Sequence, residues 1–205
     1  MNLIEIYSKT PNPNHIKRII EILNNDGILI FPTDTVYAFV CISNSSKALE
    51  KLISLKSNKL SQLTLSFFFK DFSAMSNYIK SYDNKTFRIL KKCLPGPYTF
   101  IMESQKKLPK PFHKRKTIGV RMSKNPIIKA VLKELDIPIV TSSLHDIDQI
   151  VKYTTDPKII FQEWTDKVDL IIDNGYGGNM HSTIIDLTKE TPLIVRRGKG
   201  SVNFL

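Results

Sequence analysis

Gly27-Ile28-Leu29-Ile30-Phe31-Pro32-Thr33-Asp34-Thr35-Val36-Tyr37 is the stretch on which the fold turns. Four apolar residues between Gly27 and Pro32 are too few for a helix and contain no polar break, which is the pattern of a buried strand. Pro32 then ends regular pairing. Thr33, Asp34, Thr35 and Tyr37 follow at once, so hydroxyls and a carboxylate are delivered where a strand stops. Upstream, Ile16, Ile19, Ile20 and Leu23 recur at i, i+3, i+4 and i+7 and predict an amphipathic helix over 15–25, stopped by the turn at 24–27.

The same alternation continues downstream. Ser46 is expected to cap a helix through 56, followed by a strand over 63–69 and helices opened by Asp71 and Asp83. Pro95-Gly96-Pro97 turns into a strand over 98–103. Residues 106–116 are basic with two prolines and read as a surface loop. Strands are predicted over 117–122 and 137–142 around a helix at 126–135. A helix started by Asp156-Pro157 precedes strands over 168–173, 182–187 and 193–197. No linker, low-complexity tract or repeat interrupts the pattern. One α/β domain over residues 1–205 is the simplest fit, with about seven strands and four or five helices in a mixed sheet.

The 205 residues are 41% hydrophobic and 24% charged, enough for a real core. No apolar run approaches the roughly 18 residues of a membrane span, and the first nine residues lack a signal-peptide h-region, so a cytoplasmic protein with no membrane partner is expected. Cys41 and Cys93 form no CxxC pair, and His15, His113, His145 and His181 show no ligand spacing. A zinc site and a disulfide scaffold are both disfavoured. Lys+Arg number 30 against 19 Asp+Glu, a net +11. Part of that excess is compositional, since 24 of the cations are lysines in a chain also rich in Asn and Ile; part is an attraction for polyanions such as nucleotides or RNA. The six arginines are therefore the informative cations, marking positions where a planar fork is wanted.

The common nucleotide and hydrolase signatures are missing: no GxxxxGK[ST], no GxSxG, and a Gly175-Tyr176-Gly177-Gly178-Asn179-Met180 run that fails GxGxxG. What remains is a set of hydroxyls and cations on strands. Thr117 and Arg121 are four apart and share one face. Thr141-Ser142-Ser143 closes one strand, Ser182-Thr183 opens another, and Arg196-Arg197-Gly198 ends the last. In an open α/β sheet these segments are expected to converge on one anion pocket beyond the strand ends.

Taken together, Gly27 to Tyr37, Leu55-Lys56, Pro95-Gly-Pro-Tyr-Thr99, Thr117-Ile-Gly-Val-Arg121, Thr141-Ser-Ser143, Ser182-Thr-Ile-Ile-Asp186 and Ile194-Val-Arg-Arg-Gly198 resemble the YrdC/YciO superfamily of threonylcarbamoyl-AMP synthases. The branch it looks most like is YciO, through 114–121, 174–178 and 200–205. The resemblance implies a YrdC-like single domain, a twisted mixed sheet with flanking helices and a concave basic cavity. It implies a nucleotidyltransferase that joins L-threonine, bicarbonate and ATP into threonylcarbamoyl-AMP, the first step of tRNA threonylcarbamoyladenosine modification. Lys56 and Arg121 are the implied catalytic cations. Thr35, Arg121, Thr141 and Ser182 would hold threonine, and Lys56, Thr117, Ser143 and Arg196 would hold ATP. Mg2+ is implied by the triphosphate, with no ligand motif of its own.

The departures from the pattern matter equally. A Lys-x-Arg motif reads Lys56-Ser57-Asn58, a further lysine falls near Gln62, and a Ser-x-Asn motif reads Ser143-Leu144-His145. One such donor is typically worth ~10²–10³ in rate. The alternative expectation is a non-catalytic module that binds double-stranded RNA or tRNA, with contacts spread over Lys106, Lys107, Lys110, Lys114, Arg115 and Lys116.

Overall fold

The computed structural model describes residues 2–7, 9–56, 65–105, 108, 112–144 and 155–204. The chain runs β1 (Leu3–Glu5), α1 (Pro13–Asn24), β2 (Leu29–Phe31), β3 (Ala38–Ile42), α2 (Ser46–Leu55), β4 (Ser66–Phe68), α3 (Phe72–Ser76), α4 (Asn84–Cys93) and β5 (Tyr98–Glu103). It continues through β6 (Thr117–Arg121), α5 (Pro126–Glu134), β7 (Ile139–Ser143), α6 (Pro157–Trp164), β8 (Leu170–Asp173), β9 (Thr183–Asp186) and β10 (Leu193–Arg196). The helix starts follow local capping chemistry. Asp71, Asp83 and Asp156 each accept a backbone N–H of the first turn, from Ala74, Thr86 and Lys158, worth about 1 kcal/mol apiece. The cap of α2 is Ser45 and not the expected Ser46, with its Oγ accepting from the Ala48 N–H at 3.0 Å.

Ten strands, two more than the eight segments marked in the sequence, make one mixed sheet in the order β1-β8-β2-β3-β7-β4-β6-β5-β9-β10. The unforeseen strands are β1, a three-residue edge parallel to β8, and β3. The five residues of β3 are all buried, so they lack the alternation that marks a half-exposed strand. β3 returns antiparallel on β2 across the 32–37 turn, with Leu29 opposite Val40.

Two apolar layers hold the sheet. One face packs along its length against α2, α3, α4 and α6, through Leu49, Leu52, Met75, Leu90 and Ile160. The other face is covered by α1 and α5, whose Ile16, Ile19, Leu23, Ile127, Ile128 and Val131 meet side chains of β1, β8, β2, β3, β7 and β4. That second layer stops at Phe68 and Ile139, so β6, β5, β9 and β10 contribute nothing to it. The stretch expected as a surface loop departs from that reading where it is described: Phe112 is fully buried, packed edge-on to Phe67 with ring centroids 4.9 Å apart. Lys106, Lys107 and Lys110 lie outside the described residues. No described helix is long and apolar enough to cross a membrane.

Candidate active site

Where the second apolar layer ends, the sheet face turns polar. Arg121, Thr141, Ser182, Thr117, Ser143 and Arg196 line one cavity of about 190 Å3 there, with Ser66, Thr99, Gly119 and Arg115. The site lies on the face of the sheet and not beyond the strand ends, because α1 and α5 cover half of that face and no described helix covers the rest. Gly119 is its floor: a Cβ there would stand 3.1 Å from Ser66 Cβ and 3.2 Å from Thr99 Cγ2.

Strand register sorts the lining into two ends. Phe100 opposite Val120 sets Thr99 beside Arg121, Thr99 pairs with Ile184, and Ile184 with Arg196. Thr141 pairs with Ser66, and Ser66 with Gly119, in the middle of the cavity. Because β7 runs against β4 and β6, the step from Thr141 to Ser143 leads toward Thr117.

At the first end, Arg121 is buried with its guanidinium held on three sides. Nη2 donates to Asp34 Oδ1 at 3.3 Å and to Thr35 Oγ1 at 3.1 Å, and Cζ lies 4.6 Å from the Phe68 ring centroid. Burial lowers its pKa to about 10, with Asp34 opposing the drop and Arg196 adding to it. Among the described residues, the buried Arg121 Nε and Thr141 Oγ1 find no hydrogen-bond partner, nor does Asp34 Oδ2. Thr35 is buried but does not line the cavity; its hydroxyl is engaged by Arg121 and by Thr33 Oγ1 at 2.9 Å. Ser182 Oγ sits 2.8 Å from Thr99 Oγ1, and Arg196 donates to the Ser182 carbonyl from Nε and Nη2 at 3.1 and 2.9 Å.

At the second end, Lys56 follows the last turn of α2 and donates from Nζ to the Ser143 carbonyl at 3.1 Å, on the rim. Thr117 is exposed to the cavity mouth. Six of the eight residues singled out from the sequence thus line one cavity, and Thr35 and Lys56 adjoin it. Asn58, Gln62 and His145 lie outside the described residues. Sequence reasoning named Asp34 in the stretch that decides the fold but did not pair it with Arg121, its ion partner. It also placed Arg115 on a solvated loop, whereas it lines the cavity with its Cζ over the buried Phe112 ring.

The Sua5/YciO/YrdC family model, described as telomere recombination, matches residues 21–198. This chain belongs to the Sua5/YciO/YrdC family. It is 35% identical to YciO of Escherichia coli strain K12 over 199 residues, which is 96% of this chain and 95% of that protein. The crystal structure of E. coli YciO superposes with a TM-score of 0.87 over 98% of this chain and 97% of that one. A protein of Methanocaldococcus jannaschii named putative threonylcarbamoyl-AMP synthase is 30% identical over 202 residues, 96% of this chain and 92% of that protein. P. abyssi Sua5, crystallised with L-threonine, shares the fold at a TM-score of 0.83 and 20% identity, over 97% of this chain and 58% of that one. The family is thereby established together with the mixed α/β sheet, and distant members carry a synthase name.

Proposed function

We propose that this protein binds L-threonine and ATP in the cavity on the β6 face and joins them with bicarbonate into threonylcarbamoyl-AMP. The observation that carries this reading is the pair of buried polar atoms, Arg121 Nε and Thr141 Oγ1, that line the cavity with no partner among the described residues. Each such group left unmet costs about 1–3 kcal/mol, a cost that a small ligand with a carboxylate and a hydroxyl relieves. L-Threonine has both. Arg121 takes the carboxylate, and Thr141 and Ser182 take the polar groups beside it. Lys56, Thr117 and Ser143 face the ATP, with Arg196 completing the positive lining. That the P. abyssi structure is a complex with L-threonine supports threonine as the ligand.

In the proposed reaction the threonine amine and bicarbonate give a carbamate, with loss of water. A carbamate oxygen attacks the α-phosphorus of ATP, and the bond to the leaving pyrophosphate breaks. Little covalent work falls to the protein. Positioning two anions head to tail and offsetting their charge is the main requirement, and fixed guanidinium groups in a partly dry cavity supply it. Among the described residues no group of three or more His, Cys, Asp or Glu comes together. In this reading Mg2+ arrives on the triphosphate.

The test is an assay of purified protein for pyrophosphate and threonylcarbamoyl-AMP with ATP, threonine and bicarbonate, beside calorimetric titrations of ATP with and without threonine. Product that requires all three substrates, and ATP binding that tightens with threonine, are expected. Absence of ATP binding together with RNA binding indifferent to ATP overturns the enzyme reading in favour of an RNA-binding module.

A further inference from the structure

Thr117 and Arg121 stand four residues apart on β6, a span of about 13 Å at roughly 3.3 Å per residue. The cations are distributed unevenly along it. Arg196, one of the four residues implied for ATP, sits at the Arg121 end, donating to the Ser182 carbonyl. Lys56, Thr117 and Ser143 mark the other end, where Lys56 alone of the three carries charge.

Arg115 lines the cavity at that same end, two residues before Thr117. It is half-buried, and its Cζ lies 5.6 Å from the centroid of the Phe112 ring. Phe112 is itself fully buried against Phe67. The backbone is fixed as well: the Arg115 N–H donates to the Phe112 carbonyl at 2.8 Å, and Ser104 Oγ donates to the Arg115 carbonyl at 2.6 Å. A guanidinium stacked on an anchored ring loses less freedom when it meets an anion than a solvated lysine does, and its fork matches phosphate oxygens two at a time.

We propose that Arg115 is a phosphate-binding residue of this cavity, presenting its guanidinium to the nucleotide phosphates at the Thr117 end. The inference rests on the reading that the cavity binds ATP with threonine. It gives the ligand pair a direction along β6: the amino-acid carboxylate at Arg121, the phosphoanhydride at Arg115 and Lys56.

Calorimetric titration of the full-length protein and its Arg115→Ala and Arg115→Lys variants with ATP, adenosine and L-threonine tests it. Arg115→Ala is expected to weaken ATP binding at least tenfold, about 1.4 kcal/mol, while adenosine and threonine bind as before. Arg115→Lys keeps the charge without the fork and is expected to lose threefold or more for ATP. Wild-type protein that does not bind ATP overturns the functional reading and this inference with it. Wild-type binding with an unchanged Arg115→Ala variant overturns the role of Arg115 alone. Should Arg115→Ala also lose threonine, its packing on Phe112 has failed and Arg115→Lys decides: ATP affinity equal to wild type overturns the proposal.

Discussion

Arg121 and Asp34 form an ion pair at 3.3 Å whose side chains are 8% and 12% exposed. The turn after β2 thereby grips the cation at the end of β6. Asp34 gathers further elements: Ser123 Oγ donates to the same carboxylate oxygen at 3.2 Å, and Lys199 Nζ from the C-terminal tail donates to the Asp34 backbone carbonyl at 2.8 Å. Asp34 thus ties the turn after β2 to the end of β6 through its carboxylate and to the C-terminal tail through its main chain.

Removing one member of a buried pair strands the other, typically at a cost of 3–5 kcal/mol, whereas replacing both with neutral groups of similar volume costs far less. Arg121→Met is therefore expected to lose about 3 kcal/mol in chemical denaturation, and Asp34→Asn/Arg121→Met to regain most of it. Both variants lose threonine binding. Equal stability of the single and double variants would show that the pair is not coupled in this way.

Gly119 offers a change that fills the cavity without touching a charge. Its Cβ would meet Ser66 and Thr99 at 3.1 and 3.2 Å, so neighbours must give by a few tenths of an ångström. Gly119→Ala is expected to fold with stability within about 1 kcal/mol of wild type and to bind threonine and ATP at least tenfold more weakly. Undiminished affinity in a calorimetric titration would place the ligand elsewhere.

The parts of this molecule legible in the sequence were those set by local chemistry. Asp71, Asp83 and Asp156 announce helices because an N-cap acts within three residues, and Thr117 with Arg121 share a face because a strand has period two. β3 was hidden because its five residues are buried on both faces, and β1 because three residues carry no periodicity. The cavity's place on the sheet face was not legible either. It depends on where α1 and α5 stop, which is settled by packing between segments distant in sequence. Arg115 shows the same limit: among lysines and prolines it reads as solvated, and its stacking on Phe112 appears only once Phe112 is seen against Phe67.

Arg196 is held in place indirectly. Thr183, fully buried, donates from Oγ1 to the Gly200 carbonyl at 2.6 Å and accepts from the Gly198 N–H at 3.0 Å, pinning the chain just after β10. Thr183→Val keeps the shape and leaves both backbone groups unmet, an expected loss of about 2 kcal/mol. With the tail loosened, Arg196 is less firmly held on Ser182, and KM for threonine is expected to rise more than kcat falls. Thermal denaturation and steady-state kinetics check the two effects, and a destabilised variant with wild-type KM would separate the tail from the site.

Asn58 lies outside the described residues, two positions after Lys56, whose Nζ marks the Ser143 rim. An arginine there would add a fork to oxygens that gain charge as pyrophosphate leaves. Asn58→Arg is expected to raise kcat/KM for pyrophosphate release about tenfold, or roughly 1.4 kcal/mol of transition-state stabilisation. The change has a sharper consequence in combination. If Arg115 binds the phosphates, Asn58→Arg should restore more activity to Arg115→Ala than it adds to wild type, since an added fork matters most where another is absent. Gln62 and His145 depart from the pattern too, and a site remodelled for another ligand would give no gain in either background. That outcome, with ATP binding intact, would sink the synthase reading while leaving the nucleotide site standing.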